Sequence, residues 1–481
     1  MKIVFIASEG VPYSKTGGLA DVVGALPKAL GALGHELQVI LPRYRMTKPG
    51  PAVPDAGSLT LPLGAGFKFA SVQDGGRANG VQTWLIDCPE YFDREGLYQL
   101  KGEDYPDNAQ RFAAFSLAAL EFLKRAAAPP EIIHCHDWQS ALLPIYLRSI
   151  YRDDPYFRRT SVMFTIHNLG YQGLFPPELM PLISLPAALF ALDGLEYYGK
   201  VNLLKGGIIY SDFVTTVSRK YAEEIQTPEF GYGLEGVLRS RSDHLAGILN
   251  GVDYEAWDPS HDKLLPANYS AVDLAGKEVC KKALLEKMGI PAPVLRRPVL
   301  GIVSRFASQK GFDLIAGVAE HLAALDLYVV ALGTGEPPHE ELFCTMAAKY
   351  PQKFLVKIAY DNSLAHQIEA GADMFLMPSL YEPCGLNQIY SLKYGTVPVV
   401  RATGGLDDTI TEFDGKSGTG FKFREYSPQA LLAVIQRALE AYATPKVWLR
   451  LVQNGMKQDF SWAASAKEYV RIYQTMQKAR I

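Results

Sequence analysis

The alternation of short apolar runs with helix-period segments constrains this chain more than any other feature. Residues 2–7 read KIVFIA, an apolar run suited to a strand buried on both faces. A loop containing Gly, Pro and Ser spans 8–18. Val22, Leu26, Ala29, Leu30 and Leu33 then recur at helical spacing, Gly34 stands where that helix should stop, and 37–41 is the next apolar run. This is a β-α-β unit. Further strands are predicted at 81–86, 132–135, 162–166, 213–217 and 246–249, with helices over 108–124 and 139–149. Strands separated by helices give a parallel sheet covered on both sides.

The pattern restarts after a stretch rich in Pro, Lys and Asp, 258–297, which holds a short helix near 277–288. Strands are predicted at 299–303, 327–332, 353–358, 374–377 and 397–400. The expectation is an α/β fold of two Rossmann-like, doubly wound domains facing a deep cleft, residues 1–250 and 251–459. Ligands of such sheets bind beyond the carboxyl ends of the strands. Residues 462–478 place Trp462, Ala466, Tyr469, Tyr473 and Met476 on one helical face with no strand after them. The segment 460–481 is therefore expected to cross back to the first domain.

The 481 residues suffice for two separate cores. A net charge of -3 marks neither a nucleic-acid binder nor a membrane-surface protein, so any anion site must be local. The five cysteines include no CxxC pair, which fits a reducing cytosol and a cytoplasmic location. Cys135-His136-Asp137 lacks a second ligand cluster, so no metal is expected. No run of 18 apolar residues predicts a membrane span, and the apolar start is too short for a signal peptide.

Five polar motifs fall just past predicted strands. The first, Gly10 to Asp21, contains Lys15-Thr16-Gly17-Gly18 and leads into the first helix. Helix-start amides favour anions, glycines allow close approach, and a lysine suits a phosphate. The spacing is neither GxGxxG nor a Walker loop. The second, His134 to Gln139, offers Asp137 as a hydroxyl acceptor and Trp138 as an apolar face for a sugar ring, although Asp137 in this place also fits a helix cap. The third pairs His167 with Asn168 as hydrogen-bonding groups. In the fourth, Ser304 to Gly311, Arg305 and Lys310 suit a diphosphate, the first as a fork and the second as a point charge. The fifth, Pro378 to Gln388, carries Glu382, a hydroxyl acceptor or a helix cap, and is followed by the turn Thr403-Gly404-Gly405. Together they describe a nucleotide-sugar site.

These segments resemble the bacterial glycogen synthases and plant starch synthases, glycosyltransferase family 5, from end to end. The resemblance rests on KTGGLADV (15–22), YFDREGLY (91–98), HCHDW (134–138), TIHNLGYQG (165–173), GYGLEGVL (231–238), ILNGVD (248–253), SRFASQKGFDL (304–314), SLYEPCGLNQ (379–388) and ATGGLDDT (402–409). It implies a GT-B fold, ADP-glucose as donor, the non-reducing end of an α-1,4-glucan as acceptor, retention of configuration, and neither metal nor other cofactor. Carried over by motif, Lys15, Gly18 and Asn168 contact the donor, Asp137 and His167 lie by the glucose, and Arg305 and Lys310 hold the phosphates. Tyr360 packs on adenine, Glu382 and the Cys384-Gly385-Leu386 backbone bind glucose hydroxyls, and Thr403 and Gly405 form the distal phosphate turn. Asp21, Tyr91 and Trp138 are further donor or acceptor contacts. Two positions depart from relatives: Tyr390 stands where other retaining families carry a second glutamate, and Asn387 where many bacterial members have threonine.

Retention through a covalent intermediate needs a second carboxylate about 5 Å from the first, and the sequence offers no obvious pair. Same-face displacement is the expected route. The alternatives are a UDP-glucose-dependent GT-B glucosyltransferase and a non-catalytic glucan-binding relative.

Overall fold

The computed structural model describes residues 1–48, 50–51 and 57–479. The chain divides into two compact units. The first comprises Met1–Val217, Ala222–Gly251 and the segment from Trp462 onward, and the second Ser218–Tyr221 and Val252–Ser461.

The first unit is built on a nine-stranded main sheet. Its strands are β1 (Lys2–Ile6), β2 (Glu36–Pro42), β3 (Leu59–Leu63), β4 (Gly66–Ala78), β5 (Val81–Asp87), β6 (Ile132–His136), β7 (Ser161–Ile166), β8 (Phe213–Thr216) and β9 (Leu245–Gly247), in the spatial order β9-β8-β7-β6-β1-β2-β5-β4-β3. β1 runs parallel to β2 and β6, and β6 parallel to β7. Strand order reverses at β1, so the switch point where such sheets bind ligands lies beside its carboxyl end. The antiparallel hairpin β3–β4 was not predicted. β3 alternates buried and exposed positions, so it lacks the continuous apolar run that identifies the central strands.

Helix α1 (Gly18–Ala32) buries Leu19, Val22, Val23, Leu26 and Leu30 against this sheet. Leu33, expected on the same stripe, is instead the exposed C-cap, and Gly34 ends the turn at φ 85°. The predicted helix over 139–149 is two short ones, Asp137–Ser140 and Leu142–Arg148. The last helix, Trp462–Lys478, packs on α1, with Ala466, Tyr469 and Tyr473 fully buried in the core that includes Ile3 and Phe5. Burying an apolar ring of the size of those on Tyr469 and Tyr473 is worth about 1.5–3 kcal/mol.

The second unit has an all-parallel sheet of β10 (Val299–Val303), β11 (Tyr328–Gly333), β12 (Phe354–Ile358), β13 (Met374–Met377), β14 (Val397–Arg401) and β15 (Phe421–Phe423), ordered β12-β11-β10-β13-β14-β15. Its order reverses between β10 and β13. Helix α2 (Phe312–Ala324) follows β10, and α3 (Asn387–Lys393) follows β13. Both sheets are doubly wound α/β, the expected fold class. Among the described residues no helix is long and apolar enough to cross a membrane.

Candidate active site

In the second unit the polar residues gather at the switch point. β10 ends at Val303, and the turn after it carries both cations. Arg305 is exposed, and its guanidinium has no hydrogen-bond or ion-pair partner among the described residues. Lys310 closes a single 3-10 turn, Ser308–Lys310, and is followed by Gly311 at φ 75°. A Cβ on Gly311 would lie 2.1 Å from the Pro378 carbonyl oxygen, so the two loops approach as closely as only glycine permits. Leu380 N donates to Gln309 O at 2.9 Å, and Gln309 Nε2 to Tyr381 O at 3.1 Å, which fixes one loop on the other.

This stitching brings Lys310 to Glu382. Nζ donates to Oε2 at 2.6 Å, and Ser379 Oγ donates to the same oxygen at 3.0 Å. Glu382 is buried and caps no helix, so the capping alternative is set aside. Asn387 donates to Val303 O at 2.8 Å and thereby ties α3 to the end of β10. Tyr390 stacks on Trp257 with ring centroids 3.9 Å apart, which is a packing role.

The turn 403–405 departs from the expected phosphate site. Thr403 is buried, and the Gly405 amide donates to the Glu382 carbonyl at 3.0 Å. A Cβ on Gly404 or Gly405 would overlap the carbonyl oxygen of Glu382 or Cys384. These glycines let the turn press against the 382–384 backbone, and an amide already bonded to a carbonyl is not offered to an anion. Gly385 adopts φ 68°, Cys384 is buried, and Leu386 precedes α3 as its N-cap. Gln388 Nε2 donates to the carbonyls of Cys384 and Gly385, both at 3.0 Å. Tyr360, between β12 and the Asp361 cap of the next helix, is 82% exposed and presents an open ring.

In the first unit the ends of three adjacent strands, β1, β6 and β7, carry the polar groups. Asp137 sits at φ 56°, a left-handed conformation that aspartate tolerates better than most residues. It is not the N-cap of its helix. Its Oδ1 accepts the His167 amide at 2.7 Å, and burial raises the carboxyl to about 7 despite backbone hydrogen bonds from His167 and Asn168. His167 Nε2 lies 3.0 Å from His136 Nδ1, and burial lowers the His167 ring to about 3, so it is neutral. Asn168 Oδ1 accepts Gly170 N at 2.9 Å and shapes the turn.

Lys15 is exposed and pairs with Asp21 at 2.7 Å, while a Cβ on Gly18 would meet none of the described residues within 4 Å beyond its chain neighbours and its own helix backbone. Two expected contacts are corrected. Trp138 is buried with its ring against Phe112 and Phe175 and the Gly173 backbone, so it offers no face to a sugar. Tyr91 is buried beneath the Lys68 ammonium, and its ring belongs to the core.

One residue of this group escaped the sequence reading. Glu9, just past β1, is 3% exposed, and its carboxylate accepts both the amide and the hydroxyl of Thr16. Burial raises it to about 7. An acid immediately beyond an apolar strand was the available signal.

Residues 2–240 match the starch synthase catalytic domain family, and 286–458 match the glycosyl transferases group 1 family. The chain is 56% identical to the glycogen synthase of Koribacter versatilis over 482 residues, covering 100% of this chain and 99% of that protein. It is 46% identical to the glycogen synthase of Moorella thermoacetica, covering 100% and 98%. The catalytic domain of starch synthase IV from Arabidopsis thaliana, solved with ADP and acarbose, superposes with a TM-score of 0.91 at 33% identity over 99% of both chains. Sucrose-phosphate synthase from Thermosynechococcus elongatus shares the fold, with a TM-score of 0.62 at 18% identity and full coverage of both chains. The chain belongs to the glycogen synthase and starch synthase family of glycosyltransferases, with their two-domain GT-B fold.

Proposed function

We propose that the enzyme transfers glucose from ADP-glucose to the non-reducing end of an α-1,4-glucan with retention of configuration. The observation that carries this reading is the turn after β10, where Lys310 is paired to buried Glu382 while the Arg305 guanidinium in the same turn has no partner among the described residues. Two cations held at a sheet's switch point suit a diphosphate, and the carboxylate suits a sugar hydroxyl. The Arabidopsis relative's bound ADP supports adenine as the base, and exposed Tyr360 suits stacking on it.

In the reaction, the bond from the anomeric carbon to the phosphate oxygen breaks and a bond to the acceptor's 4-hydroxyl oxygen forms on the same face. The hydroxyl proton passes to the departing phosphate oxygen. Arg305 and Lys310 stabilise the charge that develops on ADP. The neutral His167 ring hydrogen-bonds the glucose, and Asp137 holds the His167 backbone in place.

A donor-competition assay on a glycogen primer tests the reading. ADP-glucose should give higher kcat/KM than UDP-glucose, with the product degraded by an α-1,4-specific amylase. Preference for UDP-glucose, or incorporation from neither donor, would overturn it.

A further inference from the structure

The Lys15 loop opens α1, and amides at a helix start form a natural seat for an anion. Part of that seat is filled from within the chain. Glu9 Oε2 accepts the Thr16 amide, both carboxylate oxygens accept the Thr16 hydroxyl, at 2.9 and 3.2 Å, and Gly17 adds a backbone hydrogen bond. Glu9 is itself fixed through its neighbour. The Tyr44 hydroxyl donates to Ser8 O at 2.8 Å, and the Tyr98 hydroxyl pairs with Ser8 Oγ at 2.7 Å. Thr16 is exposed, so this bonding is not a by-product of core packing around it.

We infer that Glu9 is a positioning residue for the sugar-nucleotide donor, holding Thr16 and Gly17 so that Lys15 Nζ and the Gly18 backbone are the groups the loop presents to it. The inference rests on the reading that this loop meets the donor. A loop held by an internal carboxylate loses less freedom on binding, which is the general advantage of a preorganised site. The arrangement is also sensitive to protonation. The titratable groups facing Glu9 are Asp21 on α1, Asp137 at the end of β6, and the phenols of Tyr44 and Tyr98. Burial raises the Glu9 carboxyl to about 7, so the anion that grips Thr16 is progressively lost below neutral pH.

The experiment compares the full-length wild type with Glu9→Gln, Thr16→Val and Thr16→Ser. Initial rates are measured with ADP-glucose and glycogen varied separately from pH 5.5 to 9, beside thermal unfolding. Glu9→Gln and Thr16→Val should each lower kcat/KM for ADP-glucose about tenfold or more, with KM for glycogen unchanged. Thr16→Ser, which keeps the hydroxyl, should lie nearer the wild type than Thr16→Val. The acid limb of kcat/KM through about pH 7 should be less steep in Glu9→Gln. Wild-type kcat/KM and an unaltered acid limb in both Glu9→Gln and Thr16→Val would overturn the inference while leaving the donor reading intact. Equal losses for both substrates with a lower Tm would reduce Glu9 to a structural residue. A wild type that transfers nothing from ADP-glucose would overturn the donor reading and the inference together.

Discussion

Lys310 Nζ and Glu382 Oε2 lie 2.6 Å apart across 72 residues of sequence, and this contact joins the turn after β10 to the segment after β13. The carboxylate is nearly out of water and the ammonium only partly in it. A buried charge without its partner costs more than the pair itself contributes. Lys310→Met should therefore lower stability by about 1–3 kcal/mol and transfer by about a hundredfold or more. The double variant Lys310→Met/Glu382→Gln should regain stability but not turnover. Urea unfolding beside glucose incorporation separates the two effects, and a double variant no more stable than the single would show that the pair does not hold the loops together.

Gly311 sets the reach of Lys310. At φ 75°, with a Cβ position 2.1 Å from Pro378 O, alanine would be strained and would push the loops apart. Gly311→Ala should cost more than about 1 kcal/mol and lower kcat/KM for the donor. By contrast, Gly18→Ala meets open space and should leave the unfolding midpoint unchanged. Equal stability of the two variants would contradict this account.

The strands at the centres of both sheets were legible because burial on two faces writes an apolar run, as in 132–135 and 299–303. The β3–β4 hairpin was not, because a one-sided edge hairpin writes alternation that competes with loop composition. The cations Arg305 and Lys310 and the acid Glu382 could be read from their place after apolar runs. Which side chains satisfy one another could not. Trp138 looked like a sugar platform because the sequence does not show Phe112 and Phe175 closing on it. Gly405 looked like a phosphate contact because the sequence does not show its amide already given to Glu382. Glu9 was passed over because its partner, Thr16, lies on the far side of a turn whose return no local pattern announces.

Asp137 gives a pH prediction with a definite sign. Its folded carboxyl is raised from 3.8 to about 7, chiefly by burial. The unfolded chain therefore loses this proton first, and the contribution to stability, full below about pH 4, is lost as pH rises through about 7. Asp137→Asn keeps an acceptor for the His167 amide, and asparagine also tolerates the left-handed backbone. It should raise stability at pH 8 by on the order of 2 kcal/mol relative to wild type, flatten the decline between pH 4 and 7, and impair transfer. An identical pH dependence in the two proteins, followed by chemical unfolding, would refute the assignment.

Tyr360 separates binding from stability. Its ring is 82% exposed, so Tyr360→Ala should leave the unfolding midpoint within about 0.5 kcal/mol of wild type. Loss of stacking on a base is worth about 1–3 kcal/mol, so KM for ADP-glucose should rise roughly 5- to 150-fold while KM for glycogen stays put. Calorimetric titration with ADP alone should show the same loss. Unchanged ADP affinity would remove Tyr360 from the site.

Tyr473, on the last helix, reaches β6 and β7 through a chain of buried rings. Its hydroxyl lies 2.7 Å from His134 Nδ1, and His134 Nε2 lies 2.6 Å from Thr165 Oγ1. Burial drives the His134 ring well below its ordinary value, so it is neutral, with one nitrogen donating and the other accepting. His134 stacks on His136 at 4.2 Å, and His136 meets His167. Tyr473→Phe keeps the packing but leaves His134 Nδ1 without a partner in a dry site, which should cost about 1–3 kcal/mol. The disturbance should pass along the stack to His167 and lower kcat severalfold, with KM for ADP-glucose little changed because Arg305 and Lys310, the proposed phosphate contacts, lie outside this stack. Urea unfolding and steady-state rates on the same preparation test both halves. Stability lost with kcat intact would confine Tyr473 to the core, and neither effect would mean that the His134 contact contributes nothing to the folded state.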